Sequence, residues 1–253
     1  MNAHRILLLL FWVTIISCNS KGRSSTPQKS SVTEVKSTEN PSHIGNVTAD
    51  SVILGIDVSH FQGDIDWQKI KDAQVSFVYD KATQGSTYKD PKYLKNKAGA
   101  QAVNLLHGSY HFFTSNEDAK EQAAHFVSVV DYHSGNLPPV LDLEQGGLKG
   151  AVDVPSFQKE VLTWLKEVEN KLDVKPIIYT NHPFGEQYLN HSEFTNYELW
   201  IAEYGVEKPK IPPIWQEKGW LIWQRSDRGK VEGAVGDVDH DLYNPQKPFL
   251  LNE

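Results

Sequence analysis

The sequence predicts an α/β domain, a barrel of the (β/α)8 type in which some helices are missing or reduced to loops. Three observations lead there. From Val52 onward short apolar strands alternate with amphipathic helical segments, the pattern of a mostly parallel sheet. Several strands are continuous apolar runs (SVILGID, PIIYT, LWIA), as expected where both faces of a strand are covered. The stretch after residue 50 is about 200 residues long, with room for the strands but not for eight full helices. A nucleotide-binding doubly wound sheet is disfavoured. No glycine-rich phosphate loop follows the first strand, because Gly55 lies inside it and Gly63 stands alone after it.

The expected strands, in order, are 52–58, 75–80, 105–112, 139–144, 176–180, 199–204 and 221–224. A short helix is expected at 67–73. A second, at 117–130, is opened by Ser115-Asn-Glu-Asp118, a variant of the capping box. A third covers 156–172, where Phe157, Val161, Leu165, Val168 and Leu172 recur with helical spacing.

Before the domain lie two segments of other kinds. Residues 1–18 have a positive start (His4, Arg5), an apolar run from Ile6 to Ile16, and Ser17-Cys18. The run is short for a bilayer span and suits the apolar region of an export signal. Ile15-Ile16-Ser17-Cys18 also resembles a bacterial lipobox, and Cys18 is the only cysteine of the 253 residues, so no disulfide forms within the chain. Cys18 is therefore the expected lipidation site of an exported, membrane-anchored lipoprotein. Residues 19–50 have no aromatic residue and are rich in Ser, Thr, Lys, Asn and Pro, which predicts a flexible linker to the domain at 51–253. The net charge of −7 argues against nucleic acid as a partner and against adhesion to an anionic surface.

The stretch LPPVLDLE ends an apolar strand with two acids. Alternation places Val140, Asp142 and Glu144 on one face and Leu141 and Leu143 on the other, with the acids roughly 7 Å apart at Cα. In a parallel barrel, functional groups gather at the C-terminal strand ends. The acids there are Asp57, Asp80, Asp142, Glu144, Glu203 and Asp239, interleaved with Tyr79, Tyr110, Phe112, Tyr179, Trp200, Tyr204 and Trp223. Acids ringed by aromatics suit a carbohydrate: carboxyls move protons and flat rings stack on sugar faces. About half of these rings are expected to serve the core alone. Other chemistries fit poorly, since H-E-x-x-H, G-x-S-x-G and a second cysteine are absent. The ten histidines show no metal-ligand spacing, and His111 and His240 read as supporting or surface residues. Neither a metal nor a cofactor is expected.

The motifs GIDVSHFQGDIDW, FVYDKATQG, GSYHFF, PPVLDLE, PIIYTN, LWIAEYG and IWQRSDRGKVEGAVGDVD resemble, in order, those of glycoside hydrolase family 25, the Chalaropsis-type lysozymes or N-acetylmuramidases. The resemblance runs from Val52 to Asn244. It implies an incomplete barrel with eight strands and fewer helices, acting as a monomer on peptidoglycan glycan strands. The bond cut would be the β-1,4 link between N-acetylmuramic acid and N-acetylglucosamine. By the same resemblance the catalytic acids are Asp142 and Glu144, joined by Asp57 and Asp239. Glu144, its proton affinity raised by burial and by its charged neighbour, is then the general acid. Asp142 stays ionised and assists the substrate's 2-acetamido group or the positive transition state.

Tyr110, Tyr179, Trp223 and Tyr204 are the expected subsite walls. Gln84, where relatives commonly have Glu, and Asp80, where a less acidic residue is frequent, are expected to alter subsite contacts. Two other readings remain: a catalytically silent glycan-binding barrel, and a chitinase-like hydrolase. The second lacks support at Val140, where a chitinase signature carries a further aspartate.

Overall fold

The computed structural model describes residues 53–248. The predicted export signal with Cys18, the linker, and residues 51–52 and 249–253 lie outside the described residues. Nine strands form one sheet: β1 (Ile53–Val58), β2 (Phe77–Gln84), β3 (Tyr88–Lys89), β4 (Leu106–Phe112), β5 (Val140–Asp142), β6 (Ile177–Asn181), β7 (Glu198–Ala202), β8 (Ile222–Gly229) and β9 (Val238–Tyr243). From β1 through β2, β4, β5, β6 and β7 to β8, neighbours pair in parallel. β9 runs antiparallel between β8 and β1 and closes the ring. The barrel thus has eight strands, with β3 a two-residue hairpin arm on β2.

Among the described residues, five α-helices accompany it: α1 (Trp67–Asp72), α2 (Tyr93–Ala102), α3 (Ala119–Val129), α4 (Val154–Leu172) and α5 (His182–Tyr188). Two of them, α2 and α5, are absent from the sequence reading. The inward positions of α2 are Tyr93, Asn96 and Ala100, so a polar residue interrupts its apolar stripe. α5 is a seven-residue segment begun by an Asn181 cap and a proline. α3 begins later than expected. Asp118 is the cap, accepting from the backbone N–H groups of Lys120 and Glu121, while Glu117 turns back to accept from Thr114 and Ser86.

Alternation sorts each strand into two layers. The lower barrel interior is filled by Phe77, Tyr79, Val140, Ile177, Trp200, Ile222 and Tyr243. Rings of that size fit because glycines face them: a Cβ on Gly55 would come within 2.2 Å of the Phe77 ring, and one on Gly108 within 2.1 Å of Tyr79. Outside, Leu141, Leu143, Ile178, Leu199 and Ile201 pack on Phe126 of α3 and on Val161, Trp164, Leu165 and Val168 of α4. Each fully buried side chain of this size contributes about 1.5–3 kcal/mol. α1 and α2 cover the opposite wall through Trp67, Ile70 and Ala100 against Ile56, Val58 and Val78. The lower interior is therefore filled, and among the described residues the cleft opens at the rim formed by the C-terminal ends of the parallel strands.

Candidate active site

A cleft of about 270 Å³ opens at that rim, with Asp57, Lys81, Tyr110, Phe112, Asp142, Glu144, Tyr179, Tyr204, Gln224 and Asp239 among its lining residues. β5 delivers the central pair. Leu141 and Leu143 lie in the outer core while Asp142 and Glu144 face the cleft, and Glu144 keeps the alternation going because its backbone stays extended (φ −146, ψ 171). Asp57 and Asp239 arrive from opposite directions. They are register partners across β1 and β9, so the antiparallel last strand brings its first turn of residues to the same rim. Two residues further along the same face stands Asp241, fully buried, with Oδ1 accepting from the Trp200 indole N–H at 3.2 Å.

Gln224 organises this wall. Its amide N–H donates to Asp57 Oδ2 at 2.6 Å, and its carbonyl accepts from the hydroxyls of Tyr179 at 2.8 Å and Tyr204 at 2.6 Å. Lys81 faces the carboxyls from β2. Its Nζ donates to Gln84 Oε1 at 2.8 Å and sits 4.6 Å from the centroid of the Phe112 ring.

The carboxyls hold protons tightly. Burial pushes Asp142 well above the usual carboxylate range, the negative charge of Glu144 adds to it, and Lys81 pulls the other way. Asp142 Oδ1 is also buried without a hydrogen-bond donor, which penalises the anion further. Glu144 is raised too, by burial, against the opposing pull of Lys81. Asp57 is raised well above its ordinary value by burial and by Asp239 and Asp241, with Gln224 opposing. Asp239 is pushed up to about 6, first by burial and then by Asp227. Asp241 is raised well above its ordinary value by burial and Asp239. The family resemblance implies Asp142 ionised beside a protonated Glu144. Both are raised, Asp142 by burial and the charge of Glu144, Glu144 by burial.

Tyr110, Tyr179 and Tyr204 line the cleft. Trp223 does not. It points outward into the helix-side core and donates its indole N–H to the Glu203 carbonyl at 2.7 Å. Asp80 is also turned away, fully buried on the outer wall, where its Oδ2 lies 2.7 Å from Nε2 of His107. Gln84 reaches the site only through Lys81. Neither Lys81 nor Gln224 was expected in the cleft, although the rule that turns Asp142 inward also finds them. With Tyr79 and Ile222 inside, alternation puts Asp80 and Trp223 out and Lys81 and Gln224 in. Asp241 follows the same rule once β9 is recognised. His111 is a core residue, its ring stacked on Trp164 at 5.3 Å, and burial lowers it to about 3, so it stays neutral.

Carboxyls of raised proton affinity gathered between tyrosines at a barrel mouth are the equipment a glycoside hydrolase uses. The comparisons with known proteins make the class specific. The model of "Glycosyl hydrolases family 25" matches residues 56–234, and the chain belongs to that family. An uncharacterized protein of Escherichia coli, YegX, is 36% identical over 203 residues, covering 78% of this chain and 72% of that protein. Lysozyme M1 of Streptomyces globisporus is 31% identical over 217 residues, covering 79% and 71%. The crystal structure of the bacterial lysozyme of Streptomyces coelicolor superposes with a TM-score of 0.72 at 31% identity, over 77% of this chain and 93% of that one. The chain is thus a glycoside hydrolase of the lysozyme, or muramidase, type.

Proposed function

We propose that the enzyme cuts the β-1,4 bond between N-acetylmuramic acid and N-acetylglucosamine in peptidoglycan, with Glu144 as general acid and Asp142 as its partner. The observation that carries the division of labour is exposure. Glu144 is the outer carboxyl of the pair and Asp142 is nearly buried beneath it, so Glu144 is the one able to reach a glycosidic oxygen. Substrate binding then redistributes the protons. An acetamido N–H donating to Asp142 favours its anion, and the deprotonated neighbour in turn keeps the proton on Glu144.

Anionic Asp142 orients the acetamido carbonyl towards the anomeric carbon. As that C–O bond forms, the glycosidic bond breaks and the Glu144 proton passes to the leaving oxygen. Glu144, now a carboxylate, takes a proton from the water that reopens the ring, which restores the starting state. Asp57, fixed by Gln224, and Asp239 hold sugar hydroxyls, with Tyr110, Tyr179 and Tyr204 as walls. Release of reducing ends from purified peptidoglycan tests this, with Glu144→Gln as control. Equal, negligible release by both would leave only the glycan-binding reading. Faster cleavage of chitin oligomers than of peptidoglycan would replace the substrate.

We also propose that Cys18 carries a lipid that tethers the exported enzyme to a membrane through the 19–50 linker. The support is the lipobox-like ISC and the absence of any other cysteine. Cys18→Ser is expected to move the protein from the membrane pellet to the soluble exported fraction, and persistent pelleting would count against the tether.

A further inference from the structure

Outside the ring of acids, the lip of the cleft carries an aromatic group on an unusually firm mount. Phe61 lines the cleft and is 80% exposed. Its turn, His60–Gln62, is closed by a reciprocal cap in which Ser59 accepts from the turn backbone and the Gln62 side chain accepts from Ser59 N. The turn ends at Gly63 with φ 65, a conformation that suits glycine. The His60 ring lies 4.1 Å from that of Phe61, tilted by 35°, and so covers one side of it.

His60 is itself held. The buried carboxylate of Asp90 accepts from the His60 backbone N–H at 3.1 Å and meets its ring Nδ1 at 2.7 Å. Asp90 also accepts from the backbone of Lys92 at 2.9 Å, so one buried acid ties together the segments after β1 and β3. Tyr88, on the β3 arm, brings its hydroxyl to within 3.3 Å of the same His60 nitrogen. By contrast Leu94, 60% exposed on α2, has no comparable support and no place in the cleft.

Holding an exposed ring this firmly gives no burial, and the same rigidity lowers the entropic cost of binding a flat partner. Phe61 is continuous with a cleft that takes a glycan, its free face is apolar, and His60 and Gln62 supply polar atoms beside it. We propose that Phe61, backed by His60, is an outer sugar subsite. It stacks on a pyranose of the same strand, beyond the two sugars that meet Asp142 and Glu144.

This inference rests on the glycan-hydrolase reading, and its test separates the two. With peptidoglycan-derived tetrasaccharide and octasaccharide as substrates, Phe61→Ala is expected to raise KM about tenfold for the octasaccharide. For the tetrasaccharide KM should rise less than threefold, with kcat within twofold on both. Phe61→Trp should recover the octasaccharide KM, and Leu94→Ala should leave both at wild-type values. Because Phe61 is exposed, Tm should not move.

Calorimetric binding of the octasaccharide to Glu144→Gln and to Glu144→Gln/Phe61→Ala reads the subsite without catalysis. A tenfold weaker Kd in the double variant supports it. An unchanged Kd, or a KM rise independent of chain length, overturns it. Wild type that binds the octasaccharide but releases no reducing ends would defeat the hydrolase reading alone.

Discussion

Two sets of buried carboxyls hang from the same barrel and differ in what faces them. On the outer wall Asp80 points between β2 and α2, where His107 meets it at 2.7 Å and offsets part of the burial that raises it. Inside the rim, Asp57, Asp142, Glu144, Asp239 and Asp241 crowd together; neutral donors from Gln224 and Trp200 meet Asp57 and Asp241, and Lys81 is the nearby cation. An acid given its own partner holds a wall in place. Acids left to share protons are costly to the fold, and it is that unsettled state that makes them able to give and take a proton during a reaction. The outer pair should therefore govern stability and the inner cluster activity.

Glu144→Gln breaks the contrast most directly. Reducing-end assays should show kcat lowered by at least about 1000-fold, on the order of 4 kcal/mol of barrier, while Tm holds or rises. A large loss of Tm with modest loss of kcat would put Glu144 among the structural acids. The reverse case is Asp80→Ala. It leaves His107 buried without its partner and should cost about 2–4 kcal/mol in denaturant unfolding, with kcat within twofold for the folded fraction. A collapse of kcat in stable protein would return Asp80 to the site.

Asp239 sharpens the contrast through pH. Its folded value of about 6 lies above the ordinary 3.8, so the folded state binds the proton more tightly than the unfolded one. Stability from this group is then present at low pH and declines as pH rises from about 4 through 6. Asp239→Asn removes the penalty. It should raise stability at pH 7 by on the order of 2 kcal/mol, discounted for partial exposure, with the gain vanishing near pH 4. A gain that persists at pH 4 would assign the effect to packing instead.

Trp223→Phe should have the smallest effect. Loss of the hydrogen bond to the Glu203 carbonyl should cost about 1 kcal/mol, with KM unchanged. A tenfold rise in KM would mean that this ring reaches the substrate after all.

Most of the barrel and the centre of its candidate site are legible in the sequence, for a physical reason. Alternation along a strand is local: once Leu141 and Leu143 seek the helices, Asp142 and Glu144 must face the other way. Applied to β2 and β8, the same rule yields Lys81 and Gln224 and turns Asp80 and Trp223 outward. The helix α4 was legible because its buried residues recur at helical spacing, whereas α2 was not, because Asn96 sits where an apolar residue would signal it.

The sequence by itself determined the class of fold, the central acid pair and the acidic rim, since each depends on patterns a few residues long. The tertiary structure alone decided that β9 runs antiparallel between β8 and β1, setting Asp239 opposite Asp57 with Asp241 below them. It also decided which acids received partners. Strand pairing across some 180 residues and the depth of a carboxyl in a cleft are properties of the closed barrel, and no local pattern encodes them.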